Sequence, residues 1–185
     1  MQQNYQKKIE ESLTVQSSRA HAEECETRQT QIVEKHYSNA LLLPEIIRIL
    51  EEGHTVTISL KGYSMRPFLE NNRDKALLKK AENPQVGAPV LAEIKPHVYV
   101  LHRIVSIRGN QVVLRGDGNL ECEHCQLSDV KGEVVGFYRK GRDTLDAVNG
   151  FKWKAYSFVW VRLYPIRRWL LAFYRRIWIP IFGTV

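Results

Sequence analysis

Three residues of types that perform acyl-transfer chemistry stand in three separate short motifs. They are Ser64 in "GYSMRPFL", His102 in "VLHRIV" and Asp117 in "RGDGN". A serine hydroxyl is a weak nucleophile until a neighbouring base takes its proton, so the meaning of Ser64 depends on its partners. Ser64 follows Gly62 and precedes Pro67, a composition that serves a turn for backbone reasons alone or a turn built to present a hydroxyl. Alternation along "VYVLHRIV" puts His102 on one face with Val98, Val100 and Ile104, while Leu101, Arg103 and Val105 point the other way. An imidazole among apolar side chains is disfavoured in its charged form and stays able to accept a proton. The plain alternative is a core histidine with a structural role. Asp117 between two glycines reads first as a turn residue bonded to local backbone, and its other reading is a carboxylate that orients an imidazole.

Positioning these groups falls to a run of short strands. "NALLLPEIIRILEEGH" comes first and predicts an amphipathic helix near 44–52, with Pro44 in its first turn and Gly53 at its end. From there the period changes to two. "TVTISL" (55–60), "KALLKK" (75–80), "APVLAEI" (88–94), "VYVLHRIVSI" (98–107), "QVVLRGD" (111–117) and "EVVGFYRK" (133–140) are β-branched or aromatic runs divided by turn residues. "IRGNQV" has the composition of a tight hairpin turn. Six short strands in so compact a stretch predict a mainly β, mostly antiparallel domain, coiled or partly barrel-like.

Taken together and in this order, the motifs resemble the boxes of the signal peptidase and LexA-type serine peptidases, the S24/S26 superfamily. The resemblance spans roughly residues 44 to 140, and a histidine in the second box is similar to the archaeal and endoplasmic-reticulum signal peptidases. It implies the coiled β fold of that superfamily, with Ser64 as nucleophile and His102 as general base. It also implies that Asp117 is the acidic residue of the third box, orienting His102 or stabilising the surrounding loop. Gly62 and Met65 would flank the substrate and the oxyanion. Gly62 stands where many signal peptidases carry a helper serine, so backbone N–H groups, that of Ser64 included, would have to hold the oxyanion. Arg73-Asp74 takes the place of a Gly-Asp pair and reads as structural. Lys95 and His97 lie in a Pro-flanked turn, a poor setting for a buried base. The substrate implied is a peptide or protein precursor, extended beside a strand near the serine and carrying small residues at the scissile bond. No metal or organic cofactor is implied. A catalytically inactive, membrane-associated peptide-binding module of the same fold is the competing reading.

"CEHC" brings Cys122, His124 and Cys125 together, but zinc prefers four Cys or His ligands, and the remaining cysteine, Cys25, lies in the polar N-terminal segment. The pair is expected to be incidental, in a loop after "GDGN". Three cysteines are too few for a disulfide scaffold, and no apolar N-terminal run follows "MQQNYQKKIEES", so the expected location is cytoplasmic.

Charge and composition divide the chain into three segments. Residues 1–38 form a polar extension, expected to be disordered or a solvated helix; 39–142 form the peptidase-like domain; 143–185 form a basic, aromatic tail. From Arg139 onward there are ten Lys/Arg against two Asp/Glu, whereas the preceding residues carry seventeen against eighteen. A basic tail on a near-neutral domain favours a membrane surface or a nucleic acid. With one convincing helix ahead of the strands, there is no docking motif for sequence-specific nucleic-acid recognition. On a helix after Pro165, Ile166, Leu170, Phe173 and Ile177 form an apolar stripe with Arg168, Leu171 and Arg175 opposite. Arg167, Trp169, Arg176 and Trp178 stand on its flanks. Such a stripe either docks on the β domain or lies in a membrane interface through residues 153–182, which would place the protein on the inner membrane face.

Overall fold

The structure, a computed structural model, describes residues 39–184. They belong to one unit. The extension at 1–38 lies outside the described residues.

Helix α1 (Asn39–Glu51) begins five residues before the predicted start, with Pro44 inside it. The bond that Pro44 forgoes would be to the carbonyl of residue 40, in the first turn, so the helix continues through it. Its end is as expected. Gly53 takes φ +88°, and the N–H groups of Gly53 and His54 donate to the carbonyls of Leu50 and Ile49 at 3.0 and 3.2 Å, closing a Schellman motif. Ile46 and Leu50 face inward, while Arg48 pairs with Glu45 and Glu52 in solvent.

Eight strands follow: β1 (Val56–Ser59), β2 (Lys75–Lys80), β3 (Pro89–Lys95), β4 (Val98–Arg108), β5 (Gln111–Arg115), β6 (Glu123–Gln126), β7 (Val130–Tyr138) and β8 (Leu145–Ala147). Every paired neighbour is antiparallel, in the order β1-β2-β7-β3-β4-β5-β6, with β8 added to the end of β7. The class is mainly β, as predicted, and the sheet is coiled but open, with β1 and β6 at its edges. Register shifts at Leu77/Leu78, Leu91/Ala92, Glu93/Lys95 and Ile104/Ser106 supply the bending. Gly109, first of the two residues joining β4 to β5, takes φ +58°, the conformation that the tight turn in "IRGNQV" requires.

Two apolar clusters follow from the alternation. Leu50, Leu60, Leu78, Leu91, Phe137 and Trp153 belong to one, and Val90, Ala92, Ile104, Val112, Leu114 and Val130 to the other. Fully burying one such leucine or valine stabilises the fold by about 2 kcal/mol.

The basic aromatic segment is helical and packs on the sheet. Helix α2 (Phe151–Arg162), upstream of Pro165 and absent from the prediction, buries Trp153 and Trp160. A 3₁₀ turn at Tyr164–Ile166 leads into α3 (Arg167–Phe173), a π-helical turn (Tyr174–Trp178) and α4 (Ile179–Phe182). Trp153 sits 4.8 and 4.9 Å from the rings of Phe68 and Phe137, so the first tryptophan of the segment is part of the core. Among the described residues no helix is long and apolar enough to cross a membrane.

Candidate active site

The loop between β1 and β2 carries Ser64, and its own side chains hold it in shape. Leu60, Met65 and Leu69 sink into the core. The Leu60 N–H donates to the Asp74 carbonyl at 2.9 Å, and the Leu60 carbonyl accepts from the Asn72 N–H at 2.8 Å, tying the loop's two ends together. Asp74 is fully buried and accepts from the N–H groups of Glu70 and Lys140, each at 2.9 Å, and from Arg73 at 2.7 Å. Burial alone would raise its carboxyl, but the Arg73 guanidinium and the two backbone donors prevail and hold it below its ordinary value. Arg73-Asp74 is thus structural, as expected. Arg66 pairs with Glu70 at 2.6 Å and lies over the Tyr63 ring, and the peptide from Arg66 to Pro67 is cis. Within this frame Ser64 is half-buried.

The third motif closes on the serine turn from the other side. The Gly118 N–H donates to the Ser64 carbonyl at 2.7 Å. A Cβ at Gly118 would stand 2.7 Å from the Tyr63 carbonyl oxygen, and one at Gly116 would stand 2.4 Å from that of Ser64. Neither distance is tolerable, so glycine is required at both positions to bring the two loops into contact. The same missing Cβ at Gly116 would lie 3.0 Å from His102 Nε2. His102 and the serine turn therefore meet over the bare face of one glycine.

His102 is 2% exposed, on β4 directly opposite Val90. Its Nδ1 is hydrogen bonded to Glu123 Oε2. The register explains the meeting: Ile104 pairs with Leu114 and Leu114 with Glu123, so all three project from one face. His102, two residues before Ile104, projects from that face as well. Burial lowers the affinity of the ring for a second proton, and although the Glu123 carboxylate pulls the other way, the result lies below the ordinary histidine value. The ring is thus held neutral near pH 7, its Nδ1 proton directed at Glu123 and its Nε2 beside Gly116, against which the Ser64 carbonyl also packs. Among the described residues no hydrogen bond joins Nε2 to the Ser64 hydroxyl, and such bonds are often loose before substrate arrives.

Asp117 differs from one of its two predicted roles. It does not bond His102. It is 1% exposed and grips Arg103 with both oxygens, at 3.0 and 2.7 Å, while the Tyr156 hydroxyl donates to it at 3.0 Å. The Trp160 indole donates to its backbone carbonyl at 3.0 Å, and Arg175 to that of Gly118 at 3.0 Å. The physical reason is β4's alternation: Arg103 points to the face opposite His102, where α2 covers it. There it also donates to Ser157 Oγ at 2.8 Å and lies 4.8 Å from the Trp153 ring. Asp117 stabilises its loop, which was the other predicted role.

Of the two flanking residues, Gly62 needs a similar correction as an oxyanion donor, while Met65 can serve through its backbone only. The Gly62 N–H, at φ +92°, donates to Asn71 Oδ1 at 2.8 Å and has no capacity left for an oxyanion. Met65 is a core side chain, 6% exposed. Among the described residues the backbone N–H groups of Ser64 and Met65 donate to nothing, which leaves this adjacent pair as the available oxyanion donors. A cavity of about 40 Å³ opens beside them, lined by Leu60, Gly62, Ser64, Met65, Leu69 and Leu101 among others.

Glu123 was missed because "CEHC" reads as a loop. It is instead strand β6, paired with β5. The signal lay in the alternation itself, since Glu123 and Cys125 are half-buried while Cys122 and His124 are exposed. That alternation also sends His124 away from Cys125, and among the described residues no three Asp, Glu, His or Cys side chains are placed to hold a metal ion. Cys25 lies outside the described residues. Lys95 and His97 are exposed, with His97 at φ +62° in the turn after β3. No protein-family model matches the chain, and no curated protein is significantly similar to it.

Proposed function

We propose that this chain is a serine endopeptidase of the signal peptidase and LexA type, cleaving a peptide or protein precursor through Ser64, His102 and Glu123. The observation that carries the reading is the setting of His102: Nδ1 held by a carboxylate, Nε2 beside Gly116, over which the Ser64 turn also packs. In the reaction, Nε2 takes the hydroxyl proton as Ser64 Oγ attacks the scissile carbonyl. Glu123 keeps the Nδ1 proton in place and stabilises the imidazolium that forms. The oxyanion is received by the Ser64 and Met65 N–H groups, and each such donor is worth about 3 kcal/mol in the transition state. His102 then protonates the leaving amine, and water, deprotonated by the same nitrogen, hydrolyses the acyl-enzyme. The small volume of the neighbouring cavity favours a residue such as alanine, glycine or serine beside the scissile bond. The chemistry calls for no cofactor.

The missing hydrogen bond between Ser64 and His102 is the observation that favours the second reading, an inactive peptide-binding module of the same fold. A serine-directed acylating probe, with candidate precursor peptides in parallel, distinguishes the two. Labelling and cleavage are expected for the native protein and not for Ser64→Ala or His102→Ala. Equal labelling of the native protein and Ser64→Ala would sink the peptidase reading.

A further inference from the structure

The C-terminal helices carry two different faces. Arg167, Leu171 and Tyr174, at spacings of four and three, are buried against the domain. Ile166, Trp169, Phe173 and Ile177, at spacings of three and four, are 46–73% exposed, and Ile181 and Phe182 continue the exposure. The stripe predicted from periodicity is therefore largely the outward face, with Leu170 alone among its four members half-buried. Helix α2 adds the exposed Phe151, Phe158 and Val161, with Arg162 lying 3.5 Å over the Phe158 ring. Apolar exposure on this scale marks an interaction surface.

The charge on these helices identifies the occupant. From Ala147 to Val185 there are seven Lys/Arg and no Asp or Glu, and Arg162, Arg168 and Arg176 are exposed among the aromatics. A second copy of the chain would set this cationic face against itself, which like charges oppose. An acidic surface complements it, and aromatic rings interleaved with arginine suit the headgroup boundary of a bilayer.

We propose that the exposed face of α2–α4 docks on an anionic lipid bilayer, its aromatics in the headgroup–acyl boundary and its arginines on acidic headgroups. The helices lie in the plane of the interface and do not cross it. The same helical segment holds the loop at Asp117 through Tyr156, Trp160 and Arg175, so lipid binding sets the candidate active site at a fixed attitude to the membrane. The docking itself stands or falls independently of peptidase activity.

The test is co-sedimentation of the full chain with vesicles of phosphatidylcholine alone and of phosphatidylcholine mixed with phosphatidylglycerol. Binding to the mixed vesicles only, weakening as salt rises, is expected. Arg168→Gln with Arg176→Gln should weaken it about thirty-fold, at about 1 kcal/mol for each cation near the surface. Trp169→Ser with Phe173→Ser should abolish it, and both pairs sit on exposed positions where folding, checked by circular dichroism, is unaffected. Absence of binding to mixed vesicles, or binding that survives the apolar double variant, overturns the proposal. So does a dimer in analytical ultracentrifugation that the same apolar variant dissociates, since the occupant would then be a second copy.

Discussion

Neighbouring residues on β4 support two carboxylate pairs of opposite character. Arg103 faces α2 and meets Asp117, while His102 faces the other side and meets Glu123. In the first pair almost every polar valence is used: both carboxylate oxygens accept from Arg103, and Tyr156 adds a further donor. In the second pair one ring nitrogen is held and the other is left open beside a half-buried serine. Saturation makes the first a rivet. Incompleteness leaves the second with a free nitrogen, the property that the proposed peptidase mechanism uses, because a group whose hydrogen bonds are all satisfied has nothing to offer a substrate.

Substitutions on the two sides of β4 should therefore part company. The largest effect is expected from Ser64→Ala, with cleavage falling by about five to six orders of magnitude while the melting temperature barely moves. Glu123→Gln should reduce kcat by about 10³–10⁴-fold by leaving the wrong tautomer and an unsupported imidazolium. Its signature is the pH profile of kcat/KM. The native acid limb should lie below the ordinary histidine value, because burial lowers His102, and removing the Glu123 anion should move that limb lower still. An unmoved limb would mean that Glu123 does not face the active base.

Asp117→Ala should behave in the reverse manner. It leaves the Arg103 guanidinium buried without its anion, at a cost of about 3–5 kcal/mol in denaturant unfolding. If Asp117→Ala were as stable as the native chain and only slow, the two roles would be exchanged and the comparison would fail. Gly116→Ala tests the ground between them. Its Cβ would press on the Ser64 carbonyl, and it should destabilise by about 1–3 kcal/mol as the two loops part.

The smallest effect is in the pH dependence of stability. Asp74 is held below its ordinary value, so its contribution is present above the unfolded carboxylate pKa and is lost as pH falls through the folded one. His102, also lowered, takes up its proton more readily when unfolded, so stability declines as pH drops from the unfolded histidine value. Unfolding free energies measured from neutral to acid pH should show the histidine phase first, and Asp74→Asn should flatten the lower one.

Much of the scaffold was legible because it is local. The period-two runs correspond to β1 to β5 and β7, and Gly53 and Gly109 end a helix and turn a hairpin by backbone conformation alone. The short β6 and β8 were not legible, since "EHCQ" and "LDA" carry no run of β-branched or aromatic residues and exist as strands only through their neighbours. The site divides in the same way. Ser64 and His102 stand in recognisable local settings, whereas the choice between Asp117 and Glu123 depends on which face of β4 each carboxylate reaches. That is settled by cross-strand register and by a helix beginning 34 residues after Asp117, neither of which is written near the motif. Arg167 shows the same limit: expected on a helix flank, it is 1% exposed and donates to the Trp160 carbonyl at 2.9 Å.

The rivet on the far side of β4 also has an order of assembly. A ribosome delivers Ser64, His102, Asp117 and Glu123 well before Tyr156, Trp160 and Arg175, the groups that fasten the Asp117–Gly118 loop from the helical side. While only the earlier residues have emerged, Arg103 has its carboxylate but no cover, and the loop that braces the serine turn lacks its outer support. The candidate site thus reaches its final rigidity only when synthesis has passed residue 175, with the exposed aromatic face of the helices arriving alongside the last fastener.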